Sequence, residues 1–144
     1  MPKKNVLIEA ELDEKFKLTS KLGGHTVYAD QPAEQGGTDA GPNPLQYFLF
    51  SLAGCIAAVS RIAASQKKID MKSMKLSVSG ELNTDALLGR NTGERSGFPS
   101  IEVVVDIDAE MSAEEKKAFL DEVELRCPIA DNVLNGADIK VSVA

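Results

Sequence analysis

Histidine occurs once in this sequence and cysteine twice, and the two cysteines do not form a Cys-x-x-Cys pair. A structural zinc site takes four nitrogen or sulfur ligands, so no metal site is expected, and nothing else in the chain calls for a cofactor. Two cysteines are too few to staple 144 residues as a disulfide scaffold, and a reducing compartment keeps them as thiols, so their reactivity is the question. Positive charge is also scarce. Lys and Arg number 16 against 22 Asp and Glu, a formal net charge of −6. The basic runs are short pairs, Lys67-Lys68 and Lys116-Lys117, so the field repels phosphate backbones and anionic headgroups, and neither nucleic acid nor membrane is an expected partner. The stretch from Met1 to Ile8 has cations but lacks the long apolar core of a signal peptide, which leads us to expect a cytoplasmic protein. Gly36-Gly37 is not followed by the Lys-Ser/Thr of a phosphate loop.

Hydrophobic residues make up 43% of the chain and charged residues 26%, values of a soluble globular protein, and the length suits one domain over residues 1–144 with a small core. Val6, Ile8 and Ala10, then Phe16 and Leu18, then Val27 predict a meander of three short strands with turns at Asp13-Glu14 and Gly23-Gly24. Residues 31–43 hold three Gly and two Pro without apolar period and read as a loop. Asn43, Pro44 and Gln46 have the types and spacing of a helix cap, and the run from Leu45 to Val59 is almost wholly apolar or small. That run is too short for a membrane span and too apolar for a surface helix, which predicts a helix buried on most sides and ending where Arg61, Ser65, Gln66 and Lys67 bring polarity back. Met74, Leu76, Val78 and Gly80 alternate as a strand, residues 84–97 read as a Gly-rich loop, and Ile101, Val103, Val105 and Ile107 form a second strand. Ser112 and Glu115 make a capping box before a helix with Phe119, Leu120, Val123 and Cys127 on one face. Pro128 restarts a further helix that stops at Gly136, and Ile139, Val141 and Val143 alternate as a closing strand. This order is α+β, with no internal repeat.

Cys127 falls at a helix N-cap, where free N–H groups and the helix dipole favour a thiolate, with Arg126 beside it. On local sequence alone the more common case is a small apolar core side chain. Cys55 lies mid-helix after Ala53 and Gly54, with Ser51 and Val59 one turn away on its face. Gly54 costs about 1 kcal/mol of helix propensity relative to Ala, which predicts a close approach there. Cys55 is either a thiol beneath a narrow pocket or a packed core residue. A dyad with His25 requires the fold to bring the two together, and a lone His after a Gly-Gly turn is commonly a surface strand residue.

The segment GGTDAGPNPLQYFLFSLAGC, residues 36–55, resembles the start of the central helix of the OsmC/Ohr family, and RCPIADNVL, with Cys127 72 residues after Cys55, resembles its second Cys-Pro motif. The resemblance covers most of the chain. It implies an intertwined homodimer in which two long central helices pack between sheets, with active sites at the subunit interface. It also implies a thiol peroxidase cycle: Cys55 attacks the hydroperoxide, becomes a sulfenic acid and condenses with resolving Cys127, and a dithiol or other thiol reductant restores both. Leu45, Tyr47, Phe48 and Ser51 are then the substrate-binding candidates, and the apolar surroundings of Leu45, Tyr47, Phe48 and Phe50 favour organic hydroperoxides in an oxidative-stress role. The sequence departs from the peroxidase members in two places. Leu45 stands where they carry Glu, and no Arg precedes Arg61, so Lys15 is the cation nearest to the place of their first-hairpin Arg. Arg90, Arg95 and His25 are the other candidates for activating Cys55. A different class of function, a non-catalytic dimer that holds a small apolar or thiol-reactive ligand, fits the same residues.

Overall fold

The computed structural model describes residues 1–90 and 93–144, and it has a mixed α/β fold with two small sheets. It divides into two compact units, residues 1–48 and 49–144.

In the first unit, β1 (Ala10–Leu12), β2 (Leu18–Leu22) and β3 (His25–Ala29) form the expected antiparallel meander. Asp13 makes the first turn by accepting the N–H groups of Lys15 and Lys17 on its carboxylate. Gly23 makes the second at φ +62°, a left-handed conformation that a side chain would strain. Val6 and Ile8 do not join β1 as expected and are exposed. The ladder stops at Ala10↔Ser20 because the Ser20 hydroxyl donates to the Glu9 carbonyl at 2.6 Å, taking the acceptor next in line for pairing. The loop after β3 contains one 3-10 turn, Ala33–Gln35, and is organised by buried Asp30. Its carboxylate accepts the N–H groups of Gln31, Thr38 and Ala40 and the Thr38 hydroxyl. Gly37 is required in that loop, since a Cβ there would run into the Gln31 carbonyl.

Helix α1 (Pro44–Gln66) opens with the expected reciprocal cap: Gln46 N–H donates to Asn43 Oδ1 at 2.9 Å, and Asn43 N–H donates to Gln46 Oε1 at 3.0 Å. At 23 residues α1 outruns its apolar stretch, and by length and composition it is long enough to cross a membrane, contrary to the expectation from residues 45–59. Nor is it buried on most sides. One stripe of Leu52, Ile56, Ser60, Ala63 and Ala64 is covered, whereas Phe50 is 72% exposed and Ile62 52%. The second unit offers a single apolar layer to pack against, so only one side of the helix finds cover.

That layer is the hairpin sheet of β4 (Ser73–Ser79) and β5 (Glu102–Asp108), whose register pairs Met74 with Ile107, Leu76 with Val105 and Val78 with Val103 on one face. Between them lies α2 (Thr84–Leu87), where a loop was expected. Asn83 caps it by accepting the Asp85 N–H at 3.0 Å, a local signal that the glycines around it obscured. Of the expected 84–97 loop, residues 91 and 92 lie outside the described residues. α3 (Ala113–Arg126) starts at the Ser112/Glu115 box and buries Phe119 and Val123. α4 (Pro128–Asn135) follows at once and ends at Gly136, φ +76°. Lys67 and Arg126 both pair with Glu122, and Arg126 also donates to Gln66, which ties the end of α1 to α3. No strand forms at the C-terminus: Ile139, Val141 and Val143 are exposed. Their alternation is that of a strand, but the ladder partner a strand needs is missing among the described residues.

Candidate active site

The site is built by one proline. Pro128 pushes the residue before it out of the helical region, and Cys127 has φ −83°, ψ 112°, extended backbone that ends α3 and caps α4. Cys127 is fully buried in the core formed by Leu52, Ile56, Phe119, Val123 and Ala130. Its Sγ accepts the Ala130 N–H at 3.4 Å, so the N-cap reading and the core reading of this residue both hold.

Cys55 reaches the same point from α1. It is half-buried and packs against that core, with Cys127 close enough to act on its thiol. Burial pushes the Cys55 thiol up from its ordinary pKa, the neighbouring Cys127 pushes the same way, and the Ile129 N–H opposes both. Both cysteines are free thiols. Two thiols in contact can exchange with a disulfide or trap a sulfenic acid formed on either of them.

Gly54 does not have the close neighbour its helix cost suggested, since a Cβ there would meet open space. Residues of α1, β5, α3 and α4 line an apolar groove of about 320 Å³, with Leu52, Ile56, Val103, Val123, Ala130 and Leu134 among its walls; neither cysteine lines it, although Leu52, Ile56, Val123 and Ala130 also belong to the core that holds Cys127.

The other expected residues are distributed as follows. Ser51 is one helical turn before Cys55 on α1. Leu45, Tyr47 and Phe48 belong to the first unit; Leu45 and Phe48 are exposed, and the Tyr47 hydroxyl donates to the Tyr28 carbonyl at 2.7 Å, so that phenol has a structural bond. His25 opens β3 on the surface, and Lys15 is exposed in the first turn. Arg90 pairs with Asp85 at 2.7 Å, and Arg95 is exposed. Sequence reasoning missed the Ala130 N–H that holds the Cys127 sulfur, although Pro128 at the first position of α4 was the available signal that the next amides would be free.

The family profile described as OsmC-like protein matches residues 36–142. The chain belongs to the OsmC-like family. A relative from Mycoplasma pneumoniae named hydroperoxide reductase is 30% identical over 141 residues, spanning 92% of this chain and 96% of that one. A Mycoplasma genitalium protein of the same name is 28% identical with the same coverage. The crystal structure of an OsmC-like protein from Mycoplasma pneumoniae superposes with a TM-score of 0.79 at 26% identity, covering 92% of this chain and 89% of that chain. An organic hydroperoxide resistance protein OsmC from Legionella pneumophila shares the fold, with a TM-score of 0.63 at 19% identity, covering 97% and 96%. In this OsmC-like protein Cys55 and Cys127 both fall within the matched span.

Proposed function

We propose that this OsmC-like protein is a thiol-dependent reductase of hydroperoxides in which Cys55 is the attacking and Cys127 the resolving cysteine. Kinship to proteins named hydroperoxide reductase supports a role in peroxide reduction or stress. The observation that carries the residue assignment is the packing of Cys55 against the core that holds Cys127, with Cys55 the more accessible of the two. The Cys55 thiolate attacks the distal peroxide oxygen, an S–O bond forms as the O–O bond breaks, and the alkoxide leaves with a proton as the alcohol. Cys127 then attacks the Cys55 sulfenic acid, a disulfide forms and water departs. An external dithiol returns two electrons by two thiol–disulfide exchanges. The apolar groove, which shares Leu52, Ile56, Val123 and Ala130 with the core around Cys127, suits the alkyl part of an organic hydroperoxide. The working form is a homodimer, an inference supported by the exposed apolar side of α1, and the compartment is the cytoplasm, whose reducing poise keeps Cys55 and Cys127 as thiols.

Consumption of cumene hydroperoxide in the presence of dithiothreitol tests this reading. Wild type is expected to turn over and Cys55→Ser to be silent. Equal rates in the two would remove Cys55 from the mechanism. The apolar groove also fits a second reading, a non-catalytic dimer that carries a small apolar or thiol-reactive ligand there. Its signature is stoichiometric binding without hydroperoxide turnover.

A further inference from the structure

The groove between α1, β5, α3 and α4 is assembled, among the described residues, from ten apolar residues and one ionisable one, Glu124. Its volume, about 320 Å³, lies at the small end of ligand-sized cavities. Glu124 is exposed and belongs to the last turn of α3. The cations nearest to it along that helix are engaged elsewhere: Arg126 pairs with Glu122 and donates to Gln66, and Lys117 pairs with Asp121. Glu124 itself has no ion pair among the described residues. An acid in the last turn also faces the negative end of its helix, where it works against stability. A residue that breaks a local stability rule is expected where a site requires it. Its backbone is fixed to the turn that carries a thiol, since the Cys127 N–H donates to the Glu124 carbonyl at 3.2 Å.

We propose that this groove is a binding site for small uncharged apolar molecules and that Glu124 is its charge filter, turning away ligands whose apolar body carries a carboxylate or sulfonate. The apolar walls supply affinity without regard to ligand charge, because burial of hydrocarbon is non-directional. The charge on the lining then decides among ligands of equal apolar area. An anionic ligand seated on these walls brings a second negative charge towards the Glu124 carboxylate, with no lining cation to offset it. Rejection by a like charge is a repulsive means of specificity, distinct from any contact that improves the fit of the accepted ligand. Joined to the reading of the protein as a hydroperoxide reductase, on which this step rests, the filter names the substrate class: neutral alkyl and aryl hydroperoxides rather than those bearing a carboxylate.

A matched pair of fluorescent probes tests the filter on the full-length reduced protein. N-Phenylnaphthylamine is neutral, and anilinonaphthalene sulfonate is the same ring system with an anionic group. Val133→Gln places an amide on the groove wall at a position 41% exposed and is expected to weaken both probes, which locates them. The ratio of the two dissociation constants, sulfonate over neutral, should fall about threefold to fivefold in Glu124→Gln and further in Glu124→Lys, and these differences should shrink at about 0.5 M salt. Glu114→Gln removes the same charge from the exposed start of α3, outside the groove lining, and should leave the ratio in place. A ratio unmoved by Glu124→Gln, or moved equally by Glu114→Gln, overturns the proposal. So does probe binding indifferent to Val133→Gln, and so does a wild type that binds neither probe, the result expected if a second copy of the chain covers the groove. para-Carboxy cumene hydroperoxide and its methyl ester carry the comparison to turnover, where Glu124→Gln should raise the acid-to-ester ratio of kcat/KM. A shifted probe ratio in a protein that reduces neither peroxide would retire the functional reading and leave the groove assignment standing. Turnover with an unshifted probe ratio would do the reverse.

Discussion

At the scale of single residues, Cys55 and Cys127 differ chiefly in exposure, since Cys55 is half-buried and Cys127 has no accessible surface. In the reduced protein, alkylation at pH 8 should therefore label Cys55 well before Cys127, as peptide mass mapping would report. Cys127→Ser should complete one turnover and stop with a sulfenic acid on Cys55 that dimedone captures, because the resolving thiol is gone. Absence of that adduct after a peroxide pulse would mean that Cys55 is not the attacking sulfur. By the sequence resemblance, Leu45 is expected at the place of the peroxidase members' Glu. Leu45→Glu alone is expected not to raise the hydroperoxide rate, because a carboxylate without a cation partner adds charge and no donor, and only its combination with Lys15→Arg can supply a guanidinium as well. Rates of wild type, both single variants and the double variant decide this. Asp30 is a different kind of residue. The N–H of Ala40 and the hydroxyl of Thr38, then the N–H groups of Gln31 and Thr38, lower its pKa from 3.8 to about 2 against the opposing effect of burial. A folded-state pKa below the unfolded value stabilises at pH above about 3.8, and that contribution is lost as pH falls through 3.8 towards 2. Asp30→Asn should thus unfold at lower urea concentration than wild type at pH 7, with the gap narrowing from pH about 3.8 and closing near pH 2. A gap that persists there would assign the effect to packing instead.

At the scale of elements, every helix start that the sequence marked strongly is where the chain places it: Asn43/Gln46 at α1, Ser112/Glu115 at α3 and Cys127-Pro128 at α4. Such caps are local, made within four residues, so a linear reading reaches them. Ser112→Ala is expected to cost about 1 kcal/mol in equilibrium unfolding, since the Glu115 N–H loses its acceptor. Phe119→Ala, at a core position 4% exposed, should cost more, about 3–5 kcal/mol. An equal cost for the two would show that the core relaxes around the lost ring. The elements misread are those whose state depends on something distant. Val6, Ile8, Ile139, Val141 and Val143 carry strand alternation, but alternation only makes a strand possible, and a ladder also needs a partner. The short α2 was missed for the opposite reason, because one cap at Asn83 outweighed glycines that suggested a loop.

For the whole molecule, the composition of α1 and the cover it finds are at odds. Phe50 and Ile62 are exposed along a helix with a mean composition suited to burial, and the terminal segments add further exposed Val, Leu and Ile. Sedimentation at micromolar protein is expected to show a dimer, and Phe50→Asp or Ile62→Asp should shift it towards monomer by placing a charge on that side of α1. A compact wild-type monomer at the same concentration would leave the exposed face without its proposed cover. The sequence by itself determined the α+β order of elements, the helix caps and the two cysteine motifs, because each depends on neighbours a few residues away or on a spacing that survives in linear form. Only the tertiary structure decided that Cys55 and Cys127 meet, since closing a loop of that length is settled by the whole core rather than by either motif.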